Sequence, residues 1–202
     1  MNEAGTVDEI LDGDILVDGS TVSEDEIREG VIEAIAEALD LDLADVTPNA
    51  SLVDELGSES LDFLDIAFRL EDRFRVRMPQ RNMLQRAESL FGKEKLIEKG
   101  VVTDLGLDVL GKMMPEVDKS RLVPGLRVYD VGSLLTAETF VRVVGRLLRA
   151  KAELPRVCEA CGGGQIVEST TALERVCSDC DSTFPLPDGD QVLLGDLEAL
   201  GI

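Results

Sequence analysis

The spacing of apolar residues after Ser23 predicts a helix. Ser23 and Glu26 have the capping-box spacing, in which the serine accepts a hydrogen bond from the third backbone N–H and the glutamate reaches back to the serine N–H. The apolar positions that follow recur every four residues, at Ile27, Val31, Ile35 and Leu39. Glutamates lie between them, so the pattern predicts an amphipathic helix with one buried face.

A second helix is predicted to begin near residues 58–60 and to run to Phe74. A loop precedes it, because Pro48 disfavours helical geometry at Thr47. The polar residues of this helix form one narrow stripe, at Asp62, Asp65, Arg69 and Asp72. Nearly every other position is apolar, which predicts burial on more than one side, as in a small helical bundle.

The remaining chain divides into segments with different patterns. Residues 80–127 hold helical stretches interrupted by Pro115 and Pro124, and residues 129–148 form a last helical region that ends in arginines. The first 22 residues mix acids with turn formers, which predicts a frayed acidic arm. After Pro155 the chain becomes cysteine-containing, and we place a domain boundary there.

The formal charge of −21 makes nucleic acid and anionic membranes poor partners, since binding phosphates requires lysine and arginine. The acids are concentrated in residues 23–80, which hold 16 acidic and 5 basic residues, whereas residues 81–155 hold 10 acidic and 13 basic ones. Basic proteins are therefore the expected partners. The sequence has no apolar run long enough for a bilayer and begins with acidic residues, so we predict a cytoplasmic protein with no membrane span.

Ser60 lies in the motif Leu-Gly-Ser-Glu-Ser-Leu-Asp-Phe-Leu-Asp-Ile, at residues 56–66. With its flanks, this motif resembles the acyl carrier protein family, in particular specialised carriers that read Ser-Leu-Asp-Phe-Leu-Asp-Ile. The resemblance covers residues 23–80 and extends to residues 126–150. It implies that 4′-phosphopantetheine, transferred from coenzyme A by a phosphopantetheinyl transferase, is attached to Ser60 and holds an acyl group as a thioester. Glu59 stands where the family has aspartate, and about 45 residues follow Pro79 where the family continues directly to its last helix.

The residues around Ser60 fit this role. A helix N-terminus favours a phosphate through its free N–H groups and dipole. The chain contains no histidine to deprotonate the serine, so the transferase must supply the base and the chain is not expected to be an enzyme. Five acids form a predicted docking face for acyl-processing enzymes with basic surfaces: Asp54, Glu55, Glu59, Asp62 and Asp65. A serine here could instead be a simple helix cap, and the acids a solvated face.

Two Cys-x-x-Cys pairs, at Cys158, Cys161, Cys177 and Cys180, have the spacing of a zinc site. Four thiolates leave zinc no open position, so the predicted Zn²⁺ is structural. Residues 165–167 and 173–177 are expected to form two short strands. Residues 176–194 also resemble a zinc-ribbon family that includes methyltransferase activators, which implies a protein-docking module. A redox role would not need two pairs, and nucleic-acid binding fits poorly with Arg156 and Arg175 as its basic residues.

The predicted fold is mainly α: an acyl-carrier-like helical bundle with a helical insertion, followed by a small β-containing zinc ribbon. The domains are an acidic arm (1–22), the bundle (23–152, insertion about 81–127) and the ribbon (153–202). The insertion either enlarges the bundle to shelter an acyl chain or simply packs on it. The predicted function is an acyl carrier in a specialised fatty-acid, lipid or polyketide pathway, with the ribbon docking partners. The alternative is an unmodified adaptor that keeps the carrier fold only for binding.

Overall fold

The computed structural model describes residues 14–17 and 19–199. The helices of this part are α1 (Glu24–Leu39), α2 (Ser60–Phe74), α3 (Met83–Phe91), α4 (Lys93–Leu96), α5 (Asp104–Met113), α6 (Ala137–Ala152) and α7 (Gly189–Ala199). The strands are β1 (Ile15–Val17), β2 (Ser20–Val22), β3 (Ile97–Glu98), β4 (Val101–Val102), β5 (Ile166–Glu168), β6 (Glu174–Cys177) and β7 (Thr183–Pro185). Within the described ranges, no helix has the length and apolar character needed to cross a membrane.

Helices α1, α2 and α6 form the bundle that the sequence predicts. The capping box at the start of α1 is present, since the Ser23 hydroxyl accepts from the Glu26 N–H and the Glu26 carboxylate accepts from the Ser23 N–H. Fully buried apolar side chains join the three helices, among them Ile35, Ile66 and Val144. Their burial supplies the main stabilisation of the bundle.

The loop before α2 is hydrogen-bonded to the segment that precedes α6. Leu52 is fully buried, and its N–H donates to the carbonyl of Leu135 at 2.9 Å. The Ser58 N–H then donates to the carbonyl of Leu52 at 2.8 Å. These bonds fix where the chain enters α2 and therefore where Ser60 lies.

The prediction of a frayed arm over residues 1–22 is wrong for the part that the structure describes; residues 1–13 and 18 lie outside it. Strands β1 and β2 form an antiparallel hairpin with Ile15 opposite Val22. Ile15 and Val17 are buried and belong to the same core as α6. The short apolar run Ile15–Val17, followed by Gly19, signals a strand within this acidic segment, while the burial of Ile15 and Val17 but not of Leu16 appears only in the structure.

The insertion is helical, as predicted, but also contains the short antiparallel hairpin β3–β4. Its buried residues join the core of the bundle rather than form a second one, as Leu84, Leu96, Leu110 and Met114 do. A 3₁₀ segment of seven residues, Val128–Leu134, connects the insertion to α6. The insertion therefore widens a single core.

Two parts of the predicted ribbon segment pack differently. Strands β5, β6 and β7 form one antiparallel sheet with its own small cluster of Cys158, Ile166, Cys177 and the partly buried Phe184. Helix α7 instead contacts α3 and α6, and its Leu193 and Leu197 are buried in the core of the bundle. The strands predicted at residues 165–167 and 173–177 are present as β5 and β6, each beginning one residue later, while β7 and the return of α7 to the bundle were not predicted.

The first turn of α7 is pressed against the chain after α2. A Cβ at Gly189 would lie 2.5 Å from the carbonyl oxygen of Arg77 and 2.7 Å from the nitrogen of Pro79. These are backbone atoms that cannot rotate away, so we expect Gly189→Ala to lower the free energy of unfolding by about 1–3 kcal/mol. Urea unfolding followed by circular dichroism measures the change.

Gly195, further along α7, is the control for this substitution. A Cβ there meets no atom within 4 Å. Because alanine restricts the unfolded chain more than glycine does, Gly195→Ala should raise the free energy of unfolding by about 0.5–1 kcal/mol. Equal effects of the two substitutions would contradict the close packing of α7 described here.

Candidate carrier site and candidate metal centre

Ser60 is the first residue of α2 and its side chain is exposed. The N-cap of the helix is Glu59, so the Ser60 hydroxyl is not the capping group. The Glu59 N–H donates instead to the carboxylate of Asp62, at 2.7 Å. The serine is therefore accessible at a helix N-terminus, where the dipole favours an attached phosphate. Ser58, two residues earlier, is buried.

The five predicted docking acids are exposed or half-buried around the start of α2. Asp54 pairs at 2.7 Å with Arg121 of the insertion, and Asp65 pairs at 3.0 Å with Arg69. Asp62 accepts the backbone bond from Glu59, and Glu55 accepts from the Ser51 N–H at 3.0 Å. Glu59 is exposed at the end of the helix. Their role in docking stays a prediction, and Arg121 offsets part of the charge of Asp54.

An exposed apolar stripe, which the sequence pattern did not predict, runs along α2 beside these acids. Leu61, Leu64 and Phe68 are 77%, 53% and 68% exposed. They recur at three- and four-residue steps, so they share one face of the helix. The predicted burial of α2 on more than one side therefore does not extend to this face. The number of apolar residues in α2 could have indicated such a stripe, because a helix with more apolar surface than its neighbours can cover leaves part of it exposed. An exposed apolar patch of this kind marks an interaction surface.

A cavity of about 310 Å³ lies between α2, the insertion and α6. Phe63 and Ala67 line it from α2, at one turn and two turns beyond Ser60. The remaining lining residues come from the segment after α2, from the insertion and from the region of α6: Met78, Pro79, Gln80, Arg81, Asn82, Met83, Leu84, Arg86, Met114, Val128, Val131, Gly132, Leu135, Thr139, Phe140 and Val143. With its mostly apolar wall, the cavity has the size of a small ligand pocket.

The four cysteines converge on one point of the ribbon. All four Sγ atoms lie within 4.8 Å of one another, with 3.8 Å between Cys158 and Cys180 and 3.6 Å between Cys161 and Cys177. Tetrahedral zinc with sulfurs at 2.3 Å places those sulfurs about 3.8 Å apart. The thiols are free rather than joined in disulfides. The geometry therefore fits a Cys₄ metal site, with two buried and two exposed ligands.

Backbone and hydroxyl donors surround these sulfurs. Hydrogen bonds from the backbone N–H groups of Gly163 and Gly164 lower the pKa of Cys161 to about 6. The hydroxyl and backbone N–H of Ser182 lower the pKa of Cys180. The Asp179 N–H donates to the Cys177 sulfur at 3.4 Å, but burial and hydrogen bonds with the Cys180 and Cys161 thiols raise the pKa of Cys177 to about 12. Donors of this kind stabilise thiolates, which are the form that binds metal.

Gly164 leaves no room for a side chain beside the thiol cluster. A Cβ there would overlap the Cys177 sulfur and lie 3.0 Å from the Asp179 Cβ. We therefore expect Gly164→Ala to displace Cys177 and to weaken zinc affinity about 10- to 100-fold, the usual effect of disturbing groups around a metal site. Competition with a chromophoric chelator measures that affinity.

Gly163→Ala is the control, because a Cβ at Gly163 meets no atom within 4 Å. It should bind zinc as tightly as the parent chain does. Loss of affinity in both variants would show that the loop, rather than the space beside Cys177, is sensitive to substitution.

Comparison with known proteins supports the carrier site. A family model described as "Phosphopantetheine attachment site" matches residues 29–90, a range that includes Ser60. The acyl carrier protein AcpXL of Rhizobium etli is 43% identical over 49 residues, which are 24% of this chain and 53% of that protein. The meromycolate extension acyl carrier protein of Mycobacterium leprae is 34% identical over 62 residues, 31% of this chain and 54% of that protein.

A third relative, the acyl carrier protein of Helicobacter pylori, is 41% identical over 51 residues, 25% of this chain and 65% of that protein. The chain thus spans about half to two thirds of the length of these relatives. No solved structure matches it. Acyl carrier proteins hold intermediates and are not catalysts, so the matches support a carrier rather than an enzyme. Residues 29–90, which include the exposed Ser60, are therefore similar to the phosphopantetheine attachment family, and part of the chain is similar to acyl carrier proteins.

Proposed function

We propose that this protein is an acyl carrier that holds acyl intermediates as thioesters on a 4′-phosphopantetheine arm at Ser60. The observation that carries the proposal is an exposed serine at the N-terminus of α2, inside the segment that matches the phosphopantetheine attachment family. Ser60 has no histidine beside it, because the chain has none, so the phosphopantetheinyl transferase activates the hydroxyl. The arm supplies the thiol that forms the thioester.

The acyl chain attached to the arm enters the cavity between α2, the insertion and α6. Phe63 lies one helical turn, about 5 Å along the axis, beyond Ser60 and lines this cavity. Met83 and Met114 also line it, and methionine adapts readily to the shape of a ligand. A sheltered chain keeps its apolar surface out of water while the carrier moves between enzymes.

Partner enzymes dock on the exposed side of α2. Glu59, Asp62 and Asp65 attract basic surfaces, which raises encounter rates more than affinity. Leu61 and Phe68 supply the apolar area that is buried on contact. These partners are the transferase and acyl-processing enzymes of a specialised fatty-acid, lipid or polyketide pathway in the cytoplasm.

The ribbon holds a structural Zn²⁺ on Cys158, Cys161, Cys177 and Cys180. Its geometry supports this ligand set, and four thiolate ligands leave no position for a water or a substrate. The ion therefore supplies folding energy rather than chemistry. The ribbon serves as a second docking module for one of the enzymes that the carrier visits.

Intact-mass spectrometry tests the proposal. The chain is co-expressed with a broad-specificity phosphopantetheinyl transferase, and the mass of the purified protein is compared with that of the chain expressed alone. We expect a gain of one phosphopantetheine group in most molecules. A mass that does not change would refute the carrier function and favour the unmodified adaptor, which uses the same fold only to bind partners.

A further inference from the structure

An arginine of the insertion pairs with one of the five predicted docking acids. Arg121 ends the 3₁₀ turn Lys119–Arg121, and its Nη2 donates to the carboxylate of Asp54 at 2.7 Å. The same nitrogen donates to the hydroxyl of Ser133 at 3.0 Å. The side chains of Arg121 and Asp54 are 36% and 53% exposed. The pair therefore lies at the surface, where its charges act on an approaching protein.

Hydrogen bonds hold both members of this pair in place. The Asp54 N–H donates to the hydroxyl of Ser51 at 3.1 Å, and that hydroxyl donates to the carbonyl of Ser133 at 2.6 Å. The Ser133 hydroxyl, which accepts from Arg121, donates in turn to the carbonyl of Asp130 at 2.8 Å. Many surface ion pairs contribute little because two mobile side chains must be ordered to form them. Here the segment before α6 supports the arginine and the acid together, so the pair has a fixed position.

The pair changes the charge that a partner meets at the entry to α2. The Ser58 N–H donates to the carbonyl of Leu52, so the loop that carries Asp54 is joined to the start of this helix. An arginine and a carboxylate 2.7 Å apart act at a distance as a dipole, whose field falls off faster than that of a lone charge. Asp54 therefore contributes little to the attraction of a basic surface. That attraction depends instead on the acids of the first turn of α2, Glu59 and Asp62.

We propose that Arg121 is a specificity-determining residue, which weakens the attraction of basic partner enzymes by neutralising Asp54. This inference rests on the proposed carrier function, because the partners are the enzymes that act on the arm at Ser60. Enzymes whose basic residues face the first turn of α2 are favoured over enzymes whose basic residues face the loop before it. Specificity is a difference between affinities, so weakening one class of partner selects as effectively as strengthening the other. Arg121 belongs to the insertion, so the motif around Ser60 does not by itself carry this selection.

The test measures kcat/KM for transfer of the arm to the parent chain, to Arg121→Gln and to the double variant Arg121→Gln, Asp54→Asn. The phosphopantetheinyl transferase is chosen for a rate on other acyl carriers that falls with rising salt, which identifies a basic docking surface. We expect Arg121→Gln to raise kcat/KM about two- to fourfold at about 0.1 M salt, through a lower KM, since charge mainly changes association. At about 1 M salt, where charges are screened within about 3 Å, the gain should disappear. The double variant should return to the parent value, because it has lost both charges of the pair.

Lys119→Gln is the matched control for the loss of one positive charge. Lys119 is exposed and lies two residues before Arg121 in the same 3₁₀ turn, so the two side chains point to different sides. Its substitution changes the net charge equally but leaves the pair with Asp54 intact. We expect its kcat/KM to stay close to that of the parent chain.

Three results would overturn the inference: Arg121→Gln modified no faster than the parent, an equal gain in Lys119→Gln, or a gain that survives the addition of Asp54→Asn. A gain confined to kcat would also contradict it, because the neutralised charge acts on association rather than on the chemical step. The substituted side chains are at the surface, and circular dichroism checks that each variant keeps its helices. A parent chain that receives no arm at any salt concentration is a separate result, which would refute the carrier function itself.

Discussion

Replacing Ser60 with alanine is expected to abolish the mass gain from phosphopantetheine completely. The hydroxyl is the atom that forms the phosphodiester, and no other nucleophile occupies the first turn of α2 in the described structure. The expected change is from most molecules modified to none, under identical co-expression with the transferase. Intact mass measures the fraction, and peptide mapping locates the arm.

Ser58→Ala is the matched control for this loss. Ser58 is two residues away and belongs to the same motif, but its side chain is 6% exposed and its hydroxyl has no hydrogen-bond partner among the described residues. Removing an unpaired buried hydroxyl is close to neutral for stability. The Ser58→Ala protein should therefore be modified like the parent. Modification that survives Ser60→Ala would place the arm elsewhere and refute the assignment.

The sequence predicted the elements that depend on local chemistry. The start of α1 could be predicted from Ser23 and Glu26, because the spacing of these two residues is sufficient to form the capping box. The Cys-x-x-Cys pairs require close sulfurs, and the structure places all four within 4.8 Å. The start of α2 at Ser60 follows from the motif around it. The cap of α1, the two cysteine pairs and the start of α2 each depend on residues in a short stretch of sequence.

Features that depend on distant partners could not be predicted in this way. Leu61 and Phe68 carry the same apolar signal as Ile66, and only the position of α1 and α6 decides which of them is buried. The cavity combines α2 with residues of the insertion and of α6, which are far apart in sequence. Helix α7 follows the four cysteines in sequence, so it was predicted to belong to the ribbon, but its leucines lie in the core of the bundle.

Zinc removal is expected to unfold the ribbon strands while the helices remain folded. The ribbon cluster holds Cys158, Ile166 and Cys177 with Phe184 against it, which is too little apolar surface to stabilise a sheet. Four zinc–thiolate bonds supply on the order of 10 kcal/mol of folding free energy in such domains. Treatment with a strong chelator should therefore remove one zinc per chain, and the amide protons of β5–β7 should lose protection in hydrogen exchange.

Cys177→Ser should reproduce this result without a chelator, since it removes one buried ligand. Asp181→Asn is the control: Asp181 follows Cys180 in the left-handed conformation, with φ of 56°, which asparagine also adopts readily. That variant should keep one zinc per chain.

Helix α7 should stay protected after zinc removal, because its stability comes from the bundle. Leu193 and Leu197 lie in the large core, and Asp196 pairs with Arg146 of α6 at 2.6 Å. Arg75 and Lys151 tie the ribbon itself to the bundle: Arg75 donates to the carbonyls of Ser169 at 2.8 Å and of Ala172 at 2.6 Å, and Lys151 pairs with Glu168. Exchange protection that is lost in α7 together with β5–β7 would show that the metal stabilises both as one unit. Protection retained in β5–β7 without zinc would contradict a metal-dependent fold.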